Sequence, residues 1–356
     1  MSRRSWRVWF SVCVAAVLLA GCTAGGDDPG PVTSAAPVTL RAGTADDSSG
    51  PSGQAILEFA AQVRSLSGGR LIVEPVWEAA PPEARAWDQA VAKRVVDGDL
   101  QMGMIPARSW DTEGVTTFQA VQAPFLVDSD ALLDQVAAAD MAKEMMAGLD
   151  GHGVKGLTMI PEGLRHPFGF TKPLAAPADF AGKTIRTPRS KAGYALFEAL
   201  GAKPDDLTGD AVPNALNDGS LAGYDNEYAL SGNLPAKATA TGNLTLFPKL
   251  NVLVVNQQAL DKLPADQQTV LADAATRTRD KMIAAREGDA AQGEKFCASG
   301  GTVMVITAAR LREFEKIAEP LYAKLERDSV SGKVLAEIRA LKSTAGAPPA
   351  VTPCGK

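Results

Sequence analysis

At 356 residues, 46% hydrophobic and 22% charged, the chain is long enough for two domains and can bury a sizeable core, which excludes a disordered protein. The net charge is −5 with no Lys- or Arg-rich stripe, which argues against nucleic acid as a partner because phosphate binding needs clustered positive charge. Only two histidines occur, His152 and His166, and neither forms a pair at metal-ligand spacing, so a zinc or non-haem iron enzyme is not indicated and no metal is expected.

In chain order, residues 1–21 read as a signal segment. Arg3, Arg4 and Arg7 precede an apolar run, Val8 to Ala20, whose 13 residues are too few to span a bilayer comfortably. The run ends in Leu19-Ala20-Gly21-Cys22, which resembles a bacterial lipobox and implies cleavage before Cys22 and a diacylglyceryl thioether on it; the alternative is an ordinary signal peptide with a chance cysteine. Cleavage leaves 33 basic and 41 acidic residues, a net charge of −8 over 335 residues. Residues 22–37, rich in Gly, Pro, Ser and Asp, read as a flexible tether between lipid and folded body.

The body alternates strand and helix. Strands are predicted over Thr39 to Ala45, Arg70 to Val76, Leu100 to Ile105 and Gly156 to Ile160. Between them lie helices carrying Ile56, Phe59, Ala60 and Val63, then Trp87, Val91 and Val95, then a stretch from about Ala131 to Leu149. A second unit starts near Glu162: a short strand Lys183 to Arg186, helices Ser190 to Leu200 and Ala211 to Leu216, and strands Leu221 to Asp225 and Asn251 to Asn256. One long helix is predicted from Ala265 to Lys295; at 1.5 Å per residue it would reach about 45 Å and run along both units. A strand Gly301 to Ile306 and a helix Ala308 to Arg327 follow. The alternation predicts an α/β fold with a largely parallel sheet. Cys297 and Cys354 remain in the body; an exported compartment permits a disulfide between them, and the alternative is two free thiols.

Catalytic motifs fail. Gly151 to Gly156 matches GxGxxG but follows a helix and opens a strand, the reverse of the dinucleotide-binding context. There is no GxSxG elbow, Walker loop or HExxH, and the carboxylates read as scattered over solvated helix faces. Trp110 and Arg108 would lie at the carboxyl end of the strand Leu100 to Ile105, where open α/β sheets gather ligands; packing is the alternative for each.

The segment DFAGKTIRTPRS (179–190), followed by ALFEALGAKPDDL and NALNDGSLAGYDNE, resembles the signature of the DctP-type solute receptors of tripartite ATP-independent periplasmic (TRAP) transporters. Upstream, AILEFAAQVRSLSGGRLIVEPVW, VVDGDLQMGM and APFLVDSD are similar to the same family, so the resemblance covers about residues 38 to 340. It implies a periplasmic-binding-protein-like fold: two α/β lobes around a central cleft, crossings near Glu162 and Asn251, and the long helix spanning both lobes. Residues 38–162 and 252–291 would form lobe I, residues 163–251 and 292–343 lobe II, and residues 344–356 a C-terminal tail.

Residue by residue, the resemblance places Arg186 in the carboxylate-binding position, where a permanently charged planar fork suits two carboxylate oxygens; a surface salt bridge is the other reading. It directs Arg165 into the cleft and makes Asn226 a polar ligand contact. Tyr224 stands where the family pattern has glutamine, as a stacking face, a hydroxyl or core packing. Of Phe168 and Phe170, flanking Arg165, one would line the cleft and the other the core.

The implied function is an extracytoplasmic receptor, anchored to the cell membrane by a lipid on Cys22, that binds a small organic carboxylate without cofactor or catalysis and delivers it to TRAP membrane subunits. Two other readings stay open: a binding protein of an ATP-driven importer with a sugar or amino-acid ligand, and a secreted enzyme.

Overall fold

Spacing of apolar residues fixes the first elements of the computed structural model, which describes residues 36–81, 84–208, 211–233 and 238–355. The signal segment, Cys22 and residues 22–35 of the tether lie outside the described residues. Val38–Gly43 (β1) leads into Pro51–Leu66 (α1), where Ile56, Phe59 and Val63 share one buried face. Gly68 and Gly69, at φ of 60° and 80°, end the helix and turn the chain into Leu71–Val76 (β2). Trp87–Val96 (α2) crosses to Met102–Pro106 (β3), and β1 pairs in parallel with both β2 and β3.

A 3-10 turn (Ala107–Asp111) follows, then Asp130–Ala138 (α3) and Asp140–Ala147 (α4). These two divide the predicted helix 131–149, because the backbone at Ala139 is extended. Gly151 and Gly153, both at positive φ, form the turn into Val154–Gly169 (β4). Next come Thr184–Arg186 (β5), Lys191–Ala199 (α5), Lys203–Asp205 (β6), Ala211–Asn217 (α6), Leu221–Asn226 (β7), Thr239–Thr241 (β8) and Phe247–Asn256 (β9). The chain closes with Gln257–Asp261 (α7), Ala265–Ala285 (α8), Asp289–Ala298 (α9), Thr302–Met304 (β10), Ala308–Leu325 (α10) and Ser329–Thr344 (α11).

The strand order is β2-β1-β3-β9-β4-β7-β5-β6, with β8 paired to β4 and β10 to β8. The fold is therefore α/β with two lobes, and β4 and β9 are the strands common to both. β4 pairs antiparallel with β9 as far as Arg165, then with β7 from His166 to Gly169. Its register shifts between Pro161 and Gly163, a bulge that bends the strand at the crossing.

Alternation along β9 feeds two cores of the first lobe. Val252 and Val254 join the helices α2, α3 and α4, while Leu253 and Val255 join α1 and α8. In the second lobe, Ile185, Phe197 and Phe314 centre one core and Phe168, Tyr228 and Phe296 another.

Two larger departures from the sequence expectation concern α8–α9 and α11. The single helix over 265–295 is two. Arg286 takes an extended ψ of 130°, and its guanidinium reaches Asp134 at 2.8 Å. Asp130 Oδ2 then accepts from the Asp289 N–H at 2.7 Å, starting α9 afresh. α8 packs on α1 and β4, and α9 on β10 and the turn Tyr228–Asn233. Each helix thus serves one lobe. The second is α11, which is absent from the predicted helices and whose residues up to 343 are expected in lobe II. It packs on α3 and α4 and places Val334, Leu335 and Ile338 in the first-lobe core.

The described tail is tied down rather than loose. Cys354 is bridged to Cys297, with Cα atoms 6.0 Å apart, and also pairs with Val303 by backbone hydrogen bonds.

Candidate functional site

Between the lobes lies a polar cleft of about 330 Å³, with Asp46, Glu78, Trp87, Asp88 and Arg108 on the first-lobe side and Arg186, Pro188, Thr208 and Asn226 on the second. Arg165 and Lys249, from the crossing strands β4 and β9, form its floor. A hollow of about 530 Å³ opens beside it, sharing Asp46 and Leu230, between the start of α1 and the α8–α9 break.

Arg186 ends β5, and Pro188 prevents the strand from continuing. Its Nε donates to the Leu207 carbonyl at 3.1 Å. The guanidinium lies between two aromatic faces, Trp87 at 4.8 Å and Tyr224 at 5.2 Å. Trp87 begins α2, so this stack joins the two lobes. Among the described residues no carboxylate forms an ion pair with Arg186; the charged groups that act on it are Asp225 and the cations Arg165 and Arg108. Burial, reinforced by those two cations, pushes it down to about 10. At neutral pH it still carries a full charge, desolvated and with no ion-pair partner among the described residues, and an anion seated there would relieve it.

The other cations are already engaged. Arg165, 3% exposed, binds Asp225 through Nε and Nη2, at 2.5 Å to the carboxylate and 2.5 Å to the backbone carbonyl. Burial alone would lower its pKa; Asp225 and Glu227 outweigh it. Arg108 pairs with Asp88 at 2.7 Å and donates to Ser109 Oγ at 2.9 Å, while its Nε is buried without a partner. Lys249 sits 2.6 Å from Glu162 and 3.4 Å from Glu227. Burial would lower Lys249, and the two carboxylates instead hold it above the usual lysine range. Glu162 also accepts from Ser52 Oγ at 2.6 Å and from Asn251 Nδ2.

This network at the crossing was invisible as a solvated surface pattern. Glu162, Glu227, Asp225, Asp206, Asp111 and Asp88 are all buried, contrary to the expectation that the carboxylates lie on helix faces in water. Apart from Asp88, in the first turn of α2, they sit on strands and in turns, where no helical periodicity marks them.

Asn226 ends β7 at the cleft wall and its Nδ2 donates to the Leu230 carbonyl at 3.2 Å, which leaves the side-chain oxygen and one N–H for the cleft. Tyr224, two residues earlier, supports Arg186 from behind and stacks edge-on with Phe170 at 5.2 Å. Arg186, Arg165, Asn226 and Arg108 are thus brought together in one cleft. Trp110 and Phe168 are not. Trp110 is 0% exposed inside the first-lobe core, since the 3-10 turn after β3 folds its indole inward. Phe168 has the opposite strand parity to Arg165, so its ring faces away from the cleft and packs edge-on against Tyr228 at 5.6 Å and Phe296 at 5.3 Å. Trp87, which sequence periodicity places only on a helix face, takes the aromatic role instead.

The lobes are closed on each other. Asp206, after β6, accepts from the Ala86 N–H at 2.9 Å and from Arg85 Nε at 3.0 Å across the cleft mouth. Arg85 also reaches Asp205. Asp111 of the first lobe accepts from the N–H groups of Lys191 (2.8 Å) and Ala192 (3.2 Å), in the first turn of α5. Gln89 Nε2 donates to the Arg189 carbonyl at 2.9 Å.

Two lobes, shared crossing strands and a charged cleft define a hinged solute-binding architecture. Residues 42–328 match the family described as bacterial extracellular solute-binding protein, family 7 (DctP), and the chain belongs to that family of solute-binding proteins rather than enzymes. Among similar proteins is a solute-binding protein of Verminephrobacter eiseniae, 26% identical over 303 residues, 83% of this chain and 87% of the relative. Another is the C4-dicarboxylate-binding periplasmic protein DctP of Rhodobacter capsulatus, 24% identical over 297 residues, 82% and 86% of the two chains. Of solved structures, a sugar acid binding protein from Advenella mimigardefordensis in complex with galactonate superposes with a TM-score of 0.75 at 18% identity, covering 87% of this chain and 99% of that one. A TRAP periplasmic solute binding protein from Shewanella oneidensis with bound succinate gives 0.73 at 20% identity, covering 86% and 99%.

Proposed function

We propose that the protein is a lipid-anchored extracytoplasmic receptor that captures a small organic carboxylate and presents it to the membrane subunits of a TRAP-type transporter. The observation that carries this reading is Arg186: a desolvated guanidinium, held between Trp87 and Tyr224, with no carboxylate ion-pair partner among the described residues. A ligand carboxylate supplies the missing charge and bridges the lobes, favouring the closed arrangement through contacts the open one lacks. Arg165 and Asn226 extend the polar surface the ligand meets. The bulged crossing at Pro161–Gly163, opposite Leu250, is the hinge. Relatives described as binding a C4-dicarboxylate, succinate and galactonate support a small acid as ligand.

The test is calorimetry of the mature chain against acids, neutral sugars and amino acids. At 100 times its Kd a true ligand adds about 2.7 kcal/mol of stability. Binding by at least one carboxylate, silent in neutral sugars and abolished by Arg186→Ala, is expected; binding indifferent to that substitution refutes the reading. The anchor is tested separately: Cys22→Ala should move the protein from the membrane to the soluble fraction.

A further inference from the structure

The charges facing the cleft do not balance, and their imbalance says which acid fits. On the cationic side Arg108 is taken by Asp88, Arg165 by Asp225 and Lys249 by Glu162, so among the described residues Arg186 alone is open to an incoming carboxylate. On the anionic side two carboxylates line the same cleft without a cation of their own among the described residues. Asp46 accepts from Ser52 Oγ at 2.8 Å but is in no ion pair among the described residues, and Lys249, a cation that its charge acts on, already faces Glu162 and Glu227. Glu78 forms no ion pair among the described residues and is exposed towards the cleft.

The backbone of Glu78 is held at φ 46°, a left-handed conformation unfavourable for glutamate, and it is fixed there by its N–H donating to the Asp46 carbonyl at 3.1 Å. The two acids are thus presented together on the first-lobe wall, across from the Arg186 fork. Asn226 adds its side-chain oxygen as a further acceptor.

Resting on the reading of this cleft as a carboxylate site, we infer that the ligand is a monocarboxylate whose far end carries hydrogen-bond donors, hydroxyls or an ammonium, and not a dicarboxylate. One end meets the single open cation. The other meets Asp46, Glu78 and Asn226, which accept hydrogen bonds and repel a second carboxylate.

The experiment is calorimetric titration of the full mature chain with acids matched in skeleton: succinate against 4-hydroxybutanoate and 4-aminobutanoate, and galactarate against galactonate. The tightest binder should be a monocarboxylate, with its dicarboxylate counterpart at least about tenfold weaker. Glu78→Gln, an exposed site whose change leaves the core untouched, should narrow that gap by strengthening the dicarboxylate. The same variant separates the two donor types: it weakens an ammonium ligand several-fold and leaves a hydroxyl ligand nearly unchanged. A dicarboxylate that binds as tightly as its partner overturns the inference, as does the absence of any monocarboxylate binding at millimolar concentration. If the dicarboxylate binding is lost in Arg186→Ala, the carboxylate reading stands and only the inference fails; if no acid binds at all, both fail.

Discussion

A lone guanidinium between two rings is a demanding arrangement, because each contact does a different job. Leu207 fixes Nε, Trp87 and Tyr224 cover the faces, and only the outer edge stays open. Arg186→Lys keeps the charge but loses the fork and the stacking plane, so it should weaken acid binding by about 2–5 kcal/mol, measured by calorimetry. Arg186 was legible in the sequence because a short motif surrounds it. Trp87 was not: it lies about a hundred positions away, and its helix spacing looks like ordinary core packing.

His166 was equally hidden. Its Nδ1 faces the Leu244 carbonyl at 3.2 Å and its Nε2 faces the Asp289 carboxylate at 3.1 Å, so both ring nitrogens meet acceptors. Burial alone would lower its pKa; Asp289, assisted by Asp130, raises it above the ordinary 6.5. A raised folded value means that the pair stabilises fully below the unfolded pKa, and that this contribution is lost as pH rises through the folded one. Denaturation midpoints should therefore decline on the alkaline side, and His166→Gln should flatten that decline.

At the level of elements, apolar spacing foretold most strands and helices to within a few residues, since their buried faces obey simple periods. It failed where tertiary polar contacts decide. The break between α8 and α9 depends on Arg286 and Asp130 meeting from distant parts of the chain. No local pattern records that meeting, and at 1.5 Å per residue the 21 residues of α8 span about 31 Å, short of the predicted length. The position of α11 depends on which lobe offers a matching groove, and the sequence carries no sign of that. The Cys297–Cys354 bridge fastens α9 to the final strand-like segment across a separation of 57 residues. Replacing both cysteines by serine should lower unfolding free energy by roughly 2–4 kcal/mol, read from denaturant titration, with ligand affinity little changed because the bridge is remote from the cleft.

For the molecule as a whole, closure is held by few groups. Asp206, 0% exposed, gathers Arg85, Ala86 and Arg189, and Asp111 caps α5 from the opposite lobe. The bonds from Arg85, Ala86 and the α5 N–H groups exist only while the lobes touch, whereas Arg189 shares the lobe of Asp206. Asp206→Asn removes the charge and should shift the unliganded protein toward an open, more extended form, seen as a larger radius of gyration in solution scattering. Ligand affinity should fall by about tenfold or less, since the ligand's own bridging contacts remain.

The stacking of Trp87 on Arg186 has an optical consequence. The described residues include three tryptophans, Trp77, Trp87 and Trp110, and among them only Trp87 lies against a cation belonging to the opposite lobe. When the lobes part, that indole exchanges a guanidinium for water, so its emission should shift in colour and intensity. The unlabelled protein thus carries its own fluorescent gauge of opening, and Trp87→Phe should silence it.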